Sequence, residues 1–430
     1  MNCSSRYLTV TIALLTIGCG ARTGLLDLGA VPEDRDAGTD GMADTSTVDE
    51  AGDAEDGDAE DGDSTTEVGP DTSVPPVPEC VVAWGACAPK TPSFLVSADD
   101  LGQSPDVDWT GQHFLVVYDS FSSNHIAAVS TDGEVLWREA AGGLQSPRIA
   151  YHRGLGVGLM VADSGVRWLD GSGKPIGSFV DASMPGWQLA GDVSPTQDGF
   201  LVLSGAGAHS DPPPLYAAHL SADPSAVNWT WVADGAPRSP PEHALGPDGL
   251  VAWAASNVWS SPTGELYEVN NAGDLSMSFD LGPIFPAGGE GDIIGLATYQ
   301  NELFVLYSGT PGVPAWSQWV LHVSSGESFR VDRSNNSFSG HLLAFADALL
   351  ISSSAIHPFS QVSVGRYDTA SGTVEPDFVL STGGHVAHSA RMTRWARGFA
   401  VVWSESSGDT DGNSAWMQIF ECCSEEADGG

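Results

Sequence analysis

Basic residues are scarce in this sequence. Its 430 residues include 16 Lys and Arg against 56 Asp and Glu, which gives a formal net charge of −40. From Cys80 onward, 38 acidic residues still stand against 13 basic ones. Binding to nucleic acid or to anionic lipid headgroups depends on Lys and Arg that neutralise phosphates. The composition therefore argues against both kinds of partner.

A membrane-spanning run is missing at the N-terminus. The mostly apolar stretch 7–18 has 12 residues, whereas a spanning helix needs about 20. A short polar start with a single Arg6 precedes this stretch, and small residues precede Cys19. These are the parts of a secretory signal peptide, which we predict over residues 1–18.

Motifs of catalysis are also missing. The sequence contains no Gly-rich phosphate loop, no nucleophile elbow and no Cys/His pair of catalytic type. We therefore predict that the protein is not an enzyme and needs no cofactor.

The segment LTIGCG (15–20) resembles a bacterial lipoprotein cleavage site, although Thr16 holds the place where such sites usually have Leu. The resemblance implies that Cys19 becomes the N-terminus and carries more than one acyl chain, which is enough for stable anchoring. Gly20 rather than Asp implies the outer membrane, on its periplasmic side or at the cell surface. Ordinary secretion is the alternative.

Residues 19–79 are acidic and poor in aromatics, with near-repeats such as AGDAEDGDAEDGD. Such a segment buries too little apolar surface to fold, so we predict a disordered tether there and a disordered acidic tail at 424–430.

A four-part unit recurs through the rest of the chain. In the first copy, residues 104–137, three apolar runs are followed by an Asp132-Gly133 turn and a fourth run. Asp-Gly between apolar runs is a strong hairpin signal, typical of a type I′ turn with positive φ at both residues. The second run, 114–118, is continuously apolar, which indicates a strand covered on both faces. Each unit is therefore predicted to be a four-stranded antiparallel meander.

Seven copies follow one another, with spacings of 43, 43, 50, 53, 46 and 50 residues between equivalent second runs. This period indicates an all-β fold, a seven-bladed β-propeller over residues 80–423. The last copy ends after its third run, and we expect Phe94 to Val96 to complete it as the fourth strand, which would remove an open sheet edge.

Four cysteines flank this proposed closure: Cys80, Cys87, Cys422 and Cys423. Four cysteines allow three pairings. We predict at least one disulfide between the first pair and the second, and the vicinal Cys422–Cys423 bond is the least favoured on strain.

The connections between strands predict where ligands bind. First-to-second and third-to-fourth connections are short turns, whereas the other two are long and emerge on the opposite face, the usual place for binding. On this long-loop face, Trp187, Trp259 and Trp316 are candidates for stacking a sugar or peptide, with loop anchoring as the alternative.

Several acidic residues are further candidates. Asp119 and Asp163 end equivalent second strands, and paired carboxylates at a channel would suit acid–base work. The alternative is a structural role, in which these carboxylates only accept hydrogen bonds at the ends of their strands. Asp409 and Asp411 are candidates for a calcium loop, although bare loops use the same residues.

The segment AVSTDGEVLW (128–137) resembles the repeat of quinoprotein-type propellers, whose Gly and Trp dock neighbouring blades. STDG (130–133) is similar to the Asp-box turn of sialidases, with one residue missing. The leader, acidic spacer and blades together resemble bacterial cell-envelope lipoproteins.

These patterns predict a monomeric cell-envelope lipoprotein that binds a protein, peptide or glycan through its long-loop face. A glycan-active hydrolase or lyase with channel carboxylates is one alternative. An outer-membrane assembly accessory is another.

Overall fold

The computed structural model describes residues 80–97, 102–120, 122–143, 145–162, 165–181, 191–205, 214–221, 230–234, 242–245, 251–256, 263–270, 273–283, 290–310, 317–331, 337–355, 361–381, 386–406 and 413–424. All of them belong to one structural unit, Pro75–Gly430. They form 31 β-strands and a single-turn 3₁₀ helix, Trp84–Ala86. Within these ranges, no helix has the length and apolar character needed to cross a membrane.

The strands follow one another along the chain in groups of four, after three short strands at the start. The short strands are β1 (Val81–Val82), β2 (Ala88–Pro89) and β3 (Phe94–Leu95). Blades 1 to 3 consist of β4 (Gln103–Trp109), β5 (Phe114–Asp119), β6 (Asn124–Val129), β7 (Val135–Ala140), β8 (Arg148–His152), β9 (Val157–Ala162), β10 (Gly165–Leu169), β11 (Pro175–Asp181), β12 (Gly191–Pro195), β13 (Gly199–Gly205), β14 (Pro214–Ser221) and β15 (Thr230–Asp234). Blades 4 to 6 consist of β16 (Glu242–Leu245), β17 (Val251–Ser256), β18 (Thr263–Val269), β19 (Leu275–Pro283), β20 (Glu290–Tyr299), β21 (Glu302–Thr310), β22 (Ser317–His322), β23 (Glu327–Arg330), β24 (Ser337–Phe345), β25 (Ala348–Ala355), β26 (Gln361–Asp368) and β27 (Thr373–Val379). The chain ends with β28 (Ala387–Trp395), β29 (Gly398–Ser406), β30 (Asn413–Glu421) and β31 (Cys423–Ser424).

Each blade is an antiparallel meander in which neighbouring strands pair in chain order, as the repeat predicted. The first strands of successive sheets contact one another in an unbroken cycle, from β4 through β8, β12, β16, β20, β24 and β28 back to β4. The first strands are therefore innermost, and the sheets radiate from them. This arrangement is a β-propeller.

The predicted number of four-stranded blades is wrong: the residues that the structure describes form six, not seven. The remaining sheet, here called the closing sheet, combines β28, β29 and β30 with the short strands β2 and β3, which both pair with β30. Phe94 and Leu95 pair with β30, so the N-terminal segment does complete the last repeat. It does so as two short strands rather than one, because Pro89 and Pro92 have no amide hydrogen with which to continue a ladder.

The prediction that the second strand is covered on both faces is confirmed in blade 1, where every residue of β5 is buried. Successive side chains of a strand point to opposite faces. Accordingly, Phe114 and Val116 pack into the core shared with the closing sheet, while Leu115 and Val117 pack into the core shared with blade 2. Each sheet is therefore held by apolar contacts with the sheets on both sides.

The hairpin turn at Asp132-Gly133 is present, but it is not the predicted type I′ turn. Only Gly133 of the two has positive φ, at 83°, and a β-bulge lies beside the turn. The Ser130 hydroxyl accepts hydrogen bonds from the backbone N–H groups of Asp132 and Glu134. A polar first residue and a single left-handed glycine are the features of a three-residue loop with a bulge.

Two disulfides join the segment before the ring to the end of the chain, Cys80–Cys423 and Cys87–Cys422. The predicted linkage between the two cysteine pairs is confirmed. Between Cys80 and Cys87, Trp84 is buried and stacks on Phe399 with ring centroids 5.9 Å apart. The disulfides and Trp84 therefore fasten the N-terminal segment to the core of the closing sheet.

Candidate functional site

Charged side chains lie on the innermost strands. Asp106 is on β4, Arg148 begins β8, and Arg391 is on β28, so the three come from adjacent sheets. An Asp106 carboxylate oxygen accepts a hydrogen bond from the backbone N–H of Ile149, at 3.0 Å. Burial raises the pKa of Asp106, while the positive charges of Arg148 and Arg391 oppose that rise. This cluster is a charged brace between sheets.

Asp108 lies two residues further along β4 and connects three sheets. One carboxylate oxygen accepts from the backbone N–H of Tyr151 at 2.7 Å. The other accepts from the N–H of Trp109 at 2.7 Å and from the hydroxyl of Thr393 at 3.2 Å. Burial raises the pKa of Asp108 to about 6, although the two N–H donors and the Arg153 charge lower it. Asp108 is thus close to its ionisation midpoint in mildly acidic solution.

A cavity of about 270 Å³ opens where the first strands end in short turns. It is lined by Val82, Trp109, Arg153, Phe345, Ala346, Arg394, Trp395 and Ala396. These residues come from blades 1, 2 and 6, the closing sheet and the N-terminal segment. We call it the axial cavity. It lies on the short-turn face, opposite the face on which the sequence predicted binding.

The turns between first and second strands position the polar walls of the axial cavity. Arg153 follows β8, and its Nε donates to the backbone carbonyl of Trp109 at 3.3 Å, which ties blade 2 to blade 1. Arg394 is near the end of β28. The N-terminal segment is held beside the cavity because the backbone N–H of Trp84 donates to Asp347 Oδ1 at 3.0 Å, in the turn after β24.

The apolar walls are rigid. Trp109 and Trp395 are 5% and 8% exposed, and their ring centroids are 5.9 Å apart. The indole N–H of Trp395 donates to the backbone carbonyl of Phe420 at 3.0 Å. Phe345 is 2% exposed and packs edge-on against Phe399. The apolar walls of the cavity are therefore the edges of rings that are packed in the core.

Two guanidinium groups at one cavity are notable in so acidic a chain. Arg153 and Arg394 are both exposed, and neither has a carboxylate within salt-bridge distance among the residues that the structure describes. Arg397, three residues after Arg394, is instead paired with Glu421. The axial cavity therefore presents positive charge to solvent.

Most of the site residues predicted from sequence lie outside the described residues. These are Cys19, Trp187, Trp259, Trp316, Asp163, Asp409 and Asp411, together with the signal peptide, the tether and all but the first residue of the acidic tail. Asp119 is described: it is buried at the end of β5 and pairs with Gln103 and Asn124 in the ladders. It therefore lies on a second strand rather than on an innermost one.

Metal-binding groups are not seen in the described part of the chain: no three His, Cys, Asp or Glu residues are placed to hold an ion. His388 is the second residue of β28, and burial lowers its pKa.

The sequence contains one signal for the axial cavity, a pair of arginines near the ends of two first strands. Arg153 directly follows the first strand of one repeat and Arg394 lies near the end of the first strand of another, in a chain where basic residues are rare. The connection lengths instead predicted binding on the opposite, long-loop face. Closure of the ring brings these two strand ends to one cavity, because only blade 1 lies between blade 2 and the closing sheet.

No family of known proteins matches this sequence, and no curated protein does. Several solved structures are similar in fold. Puromycin hydrolase is 16% identical, with a TM-score of 0.50, over 74% of this chain and 52% of that one. This chain thus spans about half the length of puromycin hydrolase.

Two lyases are similar over nearly their whole length. A catalytically inactive variant of virginiamycin B lyase from Staphylococcus aureus, solved with quinupristin, is 10% identical with a TM-score of 0.51, over 76% of this chain and 98% of that one. The polysaccharide lyase Uly1 is 9% identical with a TM-score of 0.50, over 76% and 91%. At such identities the likeness shows the β-propeller fold alone.

Proposed function

We propose that this protein is a binding module of the cell envelope that takes its ligand at the axial cavity. The observation that carries the proposal is the cavity itself, which has rigid aromatic walls and two exposed arginines contributed by different sheets. Concave sites with apolar walls and a few convergent polar groups are the usual form of ligand pockets. The long-loop face stays a second candidate surface, since its Trp187, Trp259 and Trp316 lie outside the described residues.

The placement at the envelope is part of the same proposal. It is supported by the signal-peptide pattern, by the lipoprotein-like Cys19 and by the acidic tether over residues 19–79. The two disulfides support it as well, because disulfides persist in oxidising compartments outside the cytoplasm. The acyl chains of Cys19 then hold the propeller at the outer membrane.

Binding is favoured over catalysis by the hydrogen bonds of Asp108, a carboxylate that is adjacent in sequence to Trp109 of the axial cavity. Both of its oxygens already accept hydrogen bonds from the protein, and these bonds hold three sheets together. A general acid or base needs to reach a proton of the substrate. Asp108 is therefore interpreted as a brace.

A hydrolase or lyase is the second candidate, and the pKa of about 6 at Asp108 is the observation that favours it. Carboxyl groups with raised pKa are suited to acid–base work near neutral pH. Similar propellers include a hydrolase and two lyases. Under this alternative, the protein converts its captured ligand, and Asp108→Asn abolishes that conversion.

A cavity-filling variant tests the proposal. Ala346 lines the axial cavity, is exposed and has φ of 41°, so Ala346→Trp fills the cavity from a turn. Gln300 is the matched control: it holds the same turn position in blade 5, is also exposed, has φ of 52°, and does not line the cavity.

The three proteins are immobilised and incubated with soluble glycans and peptides from bacterial envelopes, and retained species are quantified by mass spectrometry. We expect the wild type and Gln300→Trp to retain the same species, and Ala346→Trp to lose them by tenfold or more. The proposal is wrong if nothing is enriched, or if Ala346→Trp retains the species as well as the wild type does.

A further inference from the structure

We infer that the ligand of the axial cavity is a small organic anion of the carboxylate type, recognised by Arg153 and Arg394. This inference rests on the proposed function and names the ligand class of the same site. It starts from charge. A guanidinium group stays protonated in proteins, so the two exposed arginines supply positive charge to the cavity at every physiological pH.

The other described cations near the axis or the short turns have partners of their own. Arg148 and Arg391 face the Asp106 carboxylate, Lys90 is 3.1 Å from Asp132, and Arg397 is paired with Glu421. The nearby Asp108 carboxylate attracts Arg153 electrostatically, but its oxygens are engaged by Tyr151, Trp109 and Thr393. The guanidinium nitrogens of Arg394, and those of Arg153 other than the Nε that is bonded to Trp109, are therefore the donors available to an incoming anion.

The planar guanidinium fork matches a carboxylate, which it binds through two parallel hydrogen bonds. The size and walls of the cavity restrict the rest of the ligand. A volume of about 270 Å³ lies below the usual range for drug-sized pockets, roughly 300–1,000 Å³. The packed edges of Trp109, Phe345 and Trp395 favour a ring or another apolar group beside the charge. A small ring-bearing carboxylate satisfies both requirements, whereas an extended polyanion would be repelled by the net negative charge of the protein.

The test uses two probes of the same shape and different charge. Benzoate carries a ring and a carboxylate, and benzamide is its neutral isostere. Phenyl phosphate distinguishes a phosphate site from a carboxylate site. Glucuronate, with neutral glucose as its control, distinguishes a site for sugar acids from a site for aromatic acids. Dissociation constants are measured by calorimetry on the full-length mature protein and on Arg153→Gln, Arg394→Gln and Arg366→Gln. Arg366 is an exposed arginine on β26 that does not line the cavity, so it is the matched control.

We expect benzoate to bind at least tenfold more tightly than benzamide, since a hydrogen bond to a charged group contributes about 1.5–3 kcal/mol. Each cavity variant should weaken benzoate binding by tenfold or more, and Arg366→Gln should leave it unchanged. Thermal unfolding of each variant confirms that it is folded.

The inference is overturned if benzoate shows no saturable binding, if benzamide binds equally well, or if phenyl phosphate binds more tightly than both carboxylates. It is also overturned if both cavity variants bind benzoate like the wild type. The Ala346→Trp variant distinguishes failure of the inferred ligand class from failure of the proposed binding function. If that variant abolishes binding of a neutral probe while the arginine variants have no effect, the cavity is a binding site for a different class of ligand.

Discussion

The two disulfides are predicted to stabilise the ring in a strongly non-additive way. They join residues separated by 343 and 335 positions, so either bond by itself closes a loop that contains the whole ring. The perturbation is removal of each bond alone, by Cys80→Ala with Cys423→Ala or by Cys87→Ala with Cys422→Ala, and then of both bonds together.

The magnitude follows from the entropy of loop closure in the unfolded chain. Closing a loop of more than 300 residues contributes about 6 kcal/mol in the chain-entropy model. When one bond is already formed, the second bond closes a further loop of only eight residues, the difference between the separations of 343 and 335. By the same relation, closing this small loop contributes about 2.5 kcal/mol. Removing either bond should therefore cost about 2.5 kcal/mol, while removing both should cost about 8 kcal/mol.

Urea unfolding of the four proteins measures these differences in the free energy of unfolding. The wild type unfolded in the presence of a reductant should match the variant without cysteines, which controls for the buried volume lost at Cys422. A double-mutant cycle then gives a coupling of about 3 kcal/mol. If the loss for both bonds equals the sum of the separate losses, the bonds do not share one loop closure and the reasoning is refuted.

Two further predictions concern Asp108 and Cys19. Burial raises the Asp108 pKa from 3.8 to about 6, so the folded state holds this proton more tightly than the unfolded state does. Its contribution to stability is greatest below pH 4, falls by about 3 kcal/mol as the pH rises to about 6, and is constant above that. The difference in unfolding free energy between the wild type and Asp108→Asn should follow this curve, and a pH-independent difference would contradict the assignment. For Cys19, metabolic labelling with a fatty-acid analogue should mark the wild type but not Cys19→Ser, and equal labelling would exclude this residue as the anchor.

Much of the fold could be predicted because its determinants are local. Continuous burial of β5 follows from the apolar run at 114–118, and the hairpins follow from their turn residues. Pairing of Phe94 with β30 was predictable from the missing fourth run of the last repeat. The form of the Asp132-Gly133 turn was mispredicted because the Ser130 side chain, rather than a second positive φ, satisfies the turn amides.

The candidate site was the least predictable part, because no local pattern records which turns meet. The sequence alone determined the strand order, the burial of the second strands and the pairing of the two cysteine groups across the chain, since each depends on residue type and spacing along one segment. Only the tertiary structure decided that there are six four-stranded blades with a separately built closing sheet, that Arg153 and Arg394 share a cavity, and that Asp108 has a raised pKa. These depend on closure of the ring, which brings residues more than 200 positions apart into one neighbourhood and removes water from a carboxylate that three sheets enclose.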